Sequence, residues 1–77
     1  MSSIQQTLEF IVKGIVPTPD AVSISSKDVD GTLVFEISAT PEMVGQIIGK
    51  DGKIIKSIRT ILTLTYPQQK FSLEIKD

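Results

Sequence analysis

Two glycines three residues apart, Gly49 and Gly52, stand in the middle of the longest helix-like stretch of this chain and prevent it from being one helix. From Pro41 to Thr65 apolar residues recur at helical spacing. A glycine inside a helix costs about 1 kcal/mol relative to alanine. Two of them enclosing Lys50-Asp51 divide the stretch into two helices joined by a tight turn. Thr40-Pro41-Glu42 opens the first of these: an N-cap, a proline at the first helical position, and an acid facing the positive end of the dipole. Met43, Val44, Ile47 and Ile48 line one side of this short helix, which ends at Gly49. The spacing predicts the next helix from about Lys53 to Thr65. Ile54, Ile55, Ile58, Ile61, Leu62 and Thr65 occupy one arc of it, and Lys53, Lys56, Thr60 and Thr63 the other. Tyr66-Pro67 ends it, because the residue before a proline is driven out of the α region.

What flanks this pair reads as one more helix and three strands. Ser3 is placed to cap a first helix, with Gln6 at capping-box spacing. Ile4, Leu8, Ile11, Val12 and Ile15 form its apolar stripe, and Pro17 and Pro19 stop it. Val22 and Ile24 alternate with serines in a weak edge-like strand. Leu33, Phe35 and Ile37 alternate with Thr32, Val34, Glu36 and Ser38 in a firmer one. Asp30-Gly31 between them is a hairpin signal, since glycine accepts positive φ freely. Phe71, Leu73 and Ile75 close the chain in the same alternating way. The order is α-β-β-α-α-β. In 77 residues this predicts one α+β domain spanning 1–77, in two layers, with three helices on one face of a three-stranded sheet.

Composition removes most kinds of chemistry. The chain has no Cys and no His, hence no disulfide framework, no thiolate metal site, and neither the commonest general base nor the commonest metal ligand. No carboxylate pair falls near a plausible cleft, so an enzyme is not expected, and no cofactor or metal is implied. Gly45-x-x-x-Gly49-Lys50 is one residue short of a phosphate-binding P-loop, and Asp51 stands where Ser or Thr would reach magnesium. Asp28 and Asp30 read as turn residues rather than calcium ligands. Apolar runs are far shorter than the roughly 20 residues that span a bilayer. The expectation is no membrane and a cytoplasmic address. Phe35 and Phe71 fall on apolar strand faces, which suits a core rather than a base-stacking platform. Net charge is −1 and the isoelectric point about 5.2, so any attraction to nucleic acid has to be local.

A local attraction is present. Four of the eight basic residues, Lys50, Lys53, Lys56 and Arg59, fall within ten positions, against one acid, Asp51. They gather at a helix N-terminus, where backbone N–H groups are unpaired and the dipole is positive, beside glycines that let a ligand approach. Together these describe a site for a chain of phosphates. Each feature alone also has a plain reading, a tight connection and a solvated lysine face. On the preceding helix, Val44, Gly45 and Ile48 either floor a groove for bases or belong to the core. Gly45-x-x-x-Gly49 would also allow close helix approach.

The run Gly45-Gln46-Ile47-Ile48-Gly49-Lys50-Asp51-Gly52-Lys53-Ile54-Ile55-Lys56-Ser57-Ile58 resembles the core motif of KH domains, including the isoleucines three and six residues after the second loop glycine. KH domains clamp about four nucleotides through this Gly-x-x-Gly loop. The element order is that of the bacterial, type II arrangement. Over its whole length the chain is similar to the small stand-alone bacterial KH proteins of the KhpA kind. The likeness includes Pro19 to Val22 and Pro41-Glu42-Met43-Val44-Gly45. It implies single-stranded RNA binding, RNA-chaperone activity, self-association, and pairing with a larger KH-containing partner linked to cell-wall growth and cell shape. On that pattern Lys50 and Lys53 contact phosphates, Gly49 and Gly52 give the backbone room, and Lys56 and Arg59 extend the strip. Asp51 shapes the loop, and Gly45 and Ile48 border the groove. The alternative is a KH-fold dimerisation or protein-interaction module that binds no RNA.

Overall fold

A computed structural model describes residues 3–76. Helix α1 runs Ile4–Ile15. The Ser3 hydroxyl accepts from Gln6 N–H at 3.2 Å, and the Gln6 side chain accepts from Ser3 N–H at 3.0 Å. That is the reciprocal capping box its spacing predicts. Strands β1 (Ser23–Val29) and β2 (Thr32–Ser38) form an antiparallel hairpin. Its turn is Asp30-Gly31, with φ 54° and 84°, the positive pair that a two-residue hairpin turn needs. Gly31 N–H donates to the Asp28 carboxylate at 2.9 Å. Helices α2 (Pro41–Ile48) and α3 (Lys53–Thr65) follow, then strand β3 (Lys70–Lys76).

The sheet order is β1-β2-β3, with β3 parallel to β2. The α2–α3 pair is therefore the crossover between two neighbouring parallel strands, a connection too long for a hairpin. Register puts Leu33 beside Phe71, Phe35 beside Leu73, and Ile37 beside Ile75, all on one face. The three helices pack there. Phe35 and Ile37 are fully buried with Leu8 and Val12 of α1, Ile47 of α2, and Ile58 and Leu62 of α3. The opposite face carries Thr32, Val34, Glu36 and Ser38 beside Lys70, Ser72, Glu74 and Lys76. The α+β order and layering expected from the pattern are those observed.

Tyr66 ties the layer together. Its hydroxyl lies 2.6 Å from the Thr7 hydroxyl, linking the end of α3 to α1.

Two apolar stripes are narrower than their periodicity suggests. On α3 the floor is Ile58 and Leu62; Ile61 is 44% exposed and Thr65 is exposed. At about 100° per residue, Ile61 lies about 80° round from the midline of Ile58 and Leu62, past the reach of the sheet. Ile15, at the last turn of α1, is likewise at the surface.

Candidate nucleic-acid interface

The turn between α2 and α3 is built from backbone conformations that few residues tolerate. Gly49 takes φ 77°, ψ 176°, a region that is essentially glycine's alone. A Cβ at Gly49 would sit 2.5 Å from Ile54 Cγ1 and 2.9 Å from Ile54 Cβ, so both torsion and space exclude a side chain. Gly49 N–H donates to Gly45 C=O at 2.9 Å and closes α2. Gly52 N–H then donates to Gly49 C=O at 3.2 Å, giving a single 3-10 turn over Lys50–Gly52. Asp51 is left-handed (φ 57°, ψ 25°), as is Gly52 (φ 72°, ψ 17°). Aspartate is among the few side chains that accept this conformation.

Lys50 keeps a negative φ and Asp51 takes a positive one within a single 3-10 turn. Successive N–H groups in such a turn can face one hollow, an arrangement that favours anions. The bonds that close the turn use the N–H groups of Gly49, Gly52 and Lys53, and none uses those of Lys50 or Asp51. No side chain caps α3 at Gly52. The first N–H groups of α3 and its positive dipole end therefore open beside the same turn.

The charged side chains behave as the sequence suggests. Lys50, Asp51, Lys53, Lys56 and Arg59 are all exposed. The two ion pairs among the described residues, Lys13–Glu9 and Lys76–Glu36, draw no cation from this segment. On α2, Ile47 is fully buried, whereas Val44 and Ile48 are half-buried and Gly45 is exposed. A Cβ on Gly45 would meet nothing within 4 Å. Nothing inside the chain requires a glycine there, and the space beside it is open. Ile48 is divided between core and surface, which keeps both of its readings.

Two features escaped the sequence reading. Ile54 packs against Gly49, a contact visible only once the turn is folded. The second half of α3 presents an uncharged apolar surface, with Leu64 76% exposed beside Ile61. The absence of any charge from Thr60 to Tyr66 was the available signal for it.

A family model described as the KH domain of KhpA/KhpB matches residues 5–76. The chain belongs to the KhpA/KhpB KH-domain family. A relative named "RNA-binding protein KhpA" from Thermotoga maritima is 44% identical over 59 residues, covering 77% of this chain and 79% of the relative. One of the same name from Clostridium acetobutylicum is 40% identical over 58 residues, covering 75% and 77%. A third, from Chlamydia trachomatis, is 35% identical over 75 residues, covering 95% and 96%. No solved structure matches the chain. Membership in the KhpA/KhpB family bears out the resemblance seen in the Gly45–Ile58 run. Among the described residues, no helix of this family member is long and apolar enough to cross a membrane.

Proposed function

We propose that the chain, as a single KH domain over residues 1–77, binds single-stranded RNA through the Gly49–Gly52 turn. The observation that carries this is the turn itself: a glycine-bounded turn whose Lys50 and Asp51 N–H groups close none of its bonds, at an uncapped helix start, with exposed Lys50 and Lys53 beside it. The phosphates pass Lys50, Lys53 and the loop amides, and Lys56 and Arg59 continue the positive strip along α3. Gly49 and Gly52 let the RNA backbone come close, and Asp51 holds the left-handed kink. Bases lie along α2, over Gly45 and the exposed edge of Ile48. The relatives' name, RNA-binding protein KhpA, supports the ligand. A groove for about four nucleotides gives modest affinity. A second groove raises it by making the next contact intramolecular. The chain accordingly acts as a homodimer, through Ile61 and Leu64 of α3, or with a larger KH-containing partner. With it goes the family's implied role as a cytoplasmic RNA chaperone serving cell-wall growth and cell shape.

A gel shift with a single-stranded RNA at low salt tests the reading, with Lys50→Asp alongside. Binding by the parent and its loss in the variant support the loop as the RNA site. No binding by the parent favours the second reading, a protein-interaction module. Two observations speak for that module: the net charge of −1 and the apolar Ile61–Leu64 surface.

A further inference from the structure

Position 54 is the second residue of α3. Side chains on a helix point back towards its N-terminus, so a residue here covers the turn that precedes the helix. Ile54 does so: its Cβ, Cγ1 and Cδ1 fill the space where a side chain on Gly49 would be. The same residue is half-buried and packs on the core cluster of Phe35, Ile47 and Ile58. A β-branched side chain in a helix is held close to one χ1 rotamer, which makes this a stiff contact. Other restraints on the turn are few. Its bonds are backbone to backbone, at 2.9 and 3.2 Å on either side of Gly49, and neither Gly49 nor Gly52 offers a capping side chain. An apolar wedge stands where most helix starts have a polar cap.

We infer that Ile54 is a positioning residue for RNA binding: wedged between Gly49 and the core, it holds the Gly49–Gly52 turn in its phosphate-accepting shape without touching RNA. This rests on the turn being the RNA site. A turn already fixed before binding loses less freedom on binding, so the wedge acts on affinity through pre-organisation. The two residues are matched. Ile54 adds a steric reason for glycine at 49 to the torsional one, and a branched carbon at 54 fits because Gly49 has none.

The test compares Ile54→Ala and Ile54→Val with Ile11→Ala, which removes a half-buried isoleucine from α1. Amide hydrogen exchange in the free protein, melting temperature and the Kd for an oligouridine are measured for each, with Lys50→Asp as the reference for a disabled turn. Ile54→Ala is expected to speed exchange at the hydrogen-bonded amides of Gly49, Gly52 and Lys53 and to weaken oligouridine binding about five- to tenfold at a temperature where it remains folded. Ile54→Val retains the branch and should stay within about twofold of the parent. Ile11→Ala should lower the melting temperature without changing turn exchange or Kd. Unchanged turn exchange in Ile54→Ala, or an equal loss of affinity in Ile11→Ala, overturns the inference. If Lys50→Asp binds like the parent, the turn is not the RNA site and that reading fails. Exchange in the free protein still decides whether Ile54 holds the turn.

Discussion

The two halves of α3 are made of different chemistry, although one unbroken helix contains both. From Lys53 to Arg59 every third residue is a cation, and the helix begins at the glycine turn. From Thr60 to Thr65 there is no charge at all, and Ile61 and Leu64 stand at the surface among threonines. The hydroxyls of Thr60, Thr63 and Thr65 each donate to the carbonyl one turn back, at 3.0, 2.9 and 2.7 Å. That satisfies the hydroxyls locally. At about 100° and 1.5 Å per residue, Leu64 lies about 140° round from Arg59 and about 16 Å along the axis from Lys53. A phosphate chain at the first half and an apolar partner at the second therefore need not compete. Lys53 and Leu64 are separated by length and Arg59 and Leu64 by angle, so the helix has room for both surfaces.

The sharpest way to break this comparison is to disable each half alone. Lys50→Asp puts an anion where a phosphate should lie. It is expected to weaken single-stranded RNA binding more than tenfold in a gel shift, while the melting temperature reports a stability change under about 0.5 kcal/mol because the site is exposed. Self-association should be untouched. Lys27→Glu, on an exposed position of β1, is the better control for the charge change. Lys76 is unsuitable because it holds Glu36 at 3.1 Å.

The reciprocal change is Leu64→Lys. If the chain self-associates through this surface, a cation there is expected to raise the dimer dissociation constant about tenfold by sedimentation, roughly 1.4 kcal/mol. RNA should still bind each monomer, with lower avidity. Loss of the RNA complex on the monomer itself would show that the two halves are one site.

A third change sharpens the boundary on α2. Gly45→Ala meets no atom of the chain within 4 Å, so it should stabilise the fold by up to about 1 kcal/mol through helix propensity. If bases lie over Gly45, the same methyl should cost about threefold in RNA affinity by titration. A variant that is more stable and binds equally well would move the groove away from α2.

The mildest test varies salt. Neutralising two to four phosphates gives a slope of log affinity against log salt of about −1.5 to −3 on single strands. Self-association through the uncharged half should be nearly flat over the same range.

Much of this arrangement was legible beforehand, for identifiable reasons. Ser3 with Gln6, and Thr40 with Pro41, are local signals that fix helix starts regardless of what packs around them. The glycines and lysines of the turn follow the same logic. Periodicity was less informative. It tells which side of α3 is apolar but not how wide a strip the sheet covers, so it groups Ile61 on one arc with the buried Ile58 and Leu62. The contact of Ile54 with Gly49 had no sequence signal, because it depends on two backbone conformations being adopted at once. Gly45 showed the opposite: its cost was visible in the sequence, and the structure adds only that no neighbour within the chain accounts for it.

The parallel pairing of β3 with β2 sets an order of events. Lys70 partners Thr32, with the whole helical crossover between them, so this contact closes a long loop and is slow to be rewarded. During synthesis the turn and its lysines are made before the strand that completes the sheet beneath their helices. A nascent chain lacking β3 already carries these charges but not the strand that pairs with β2 beneath their helices.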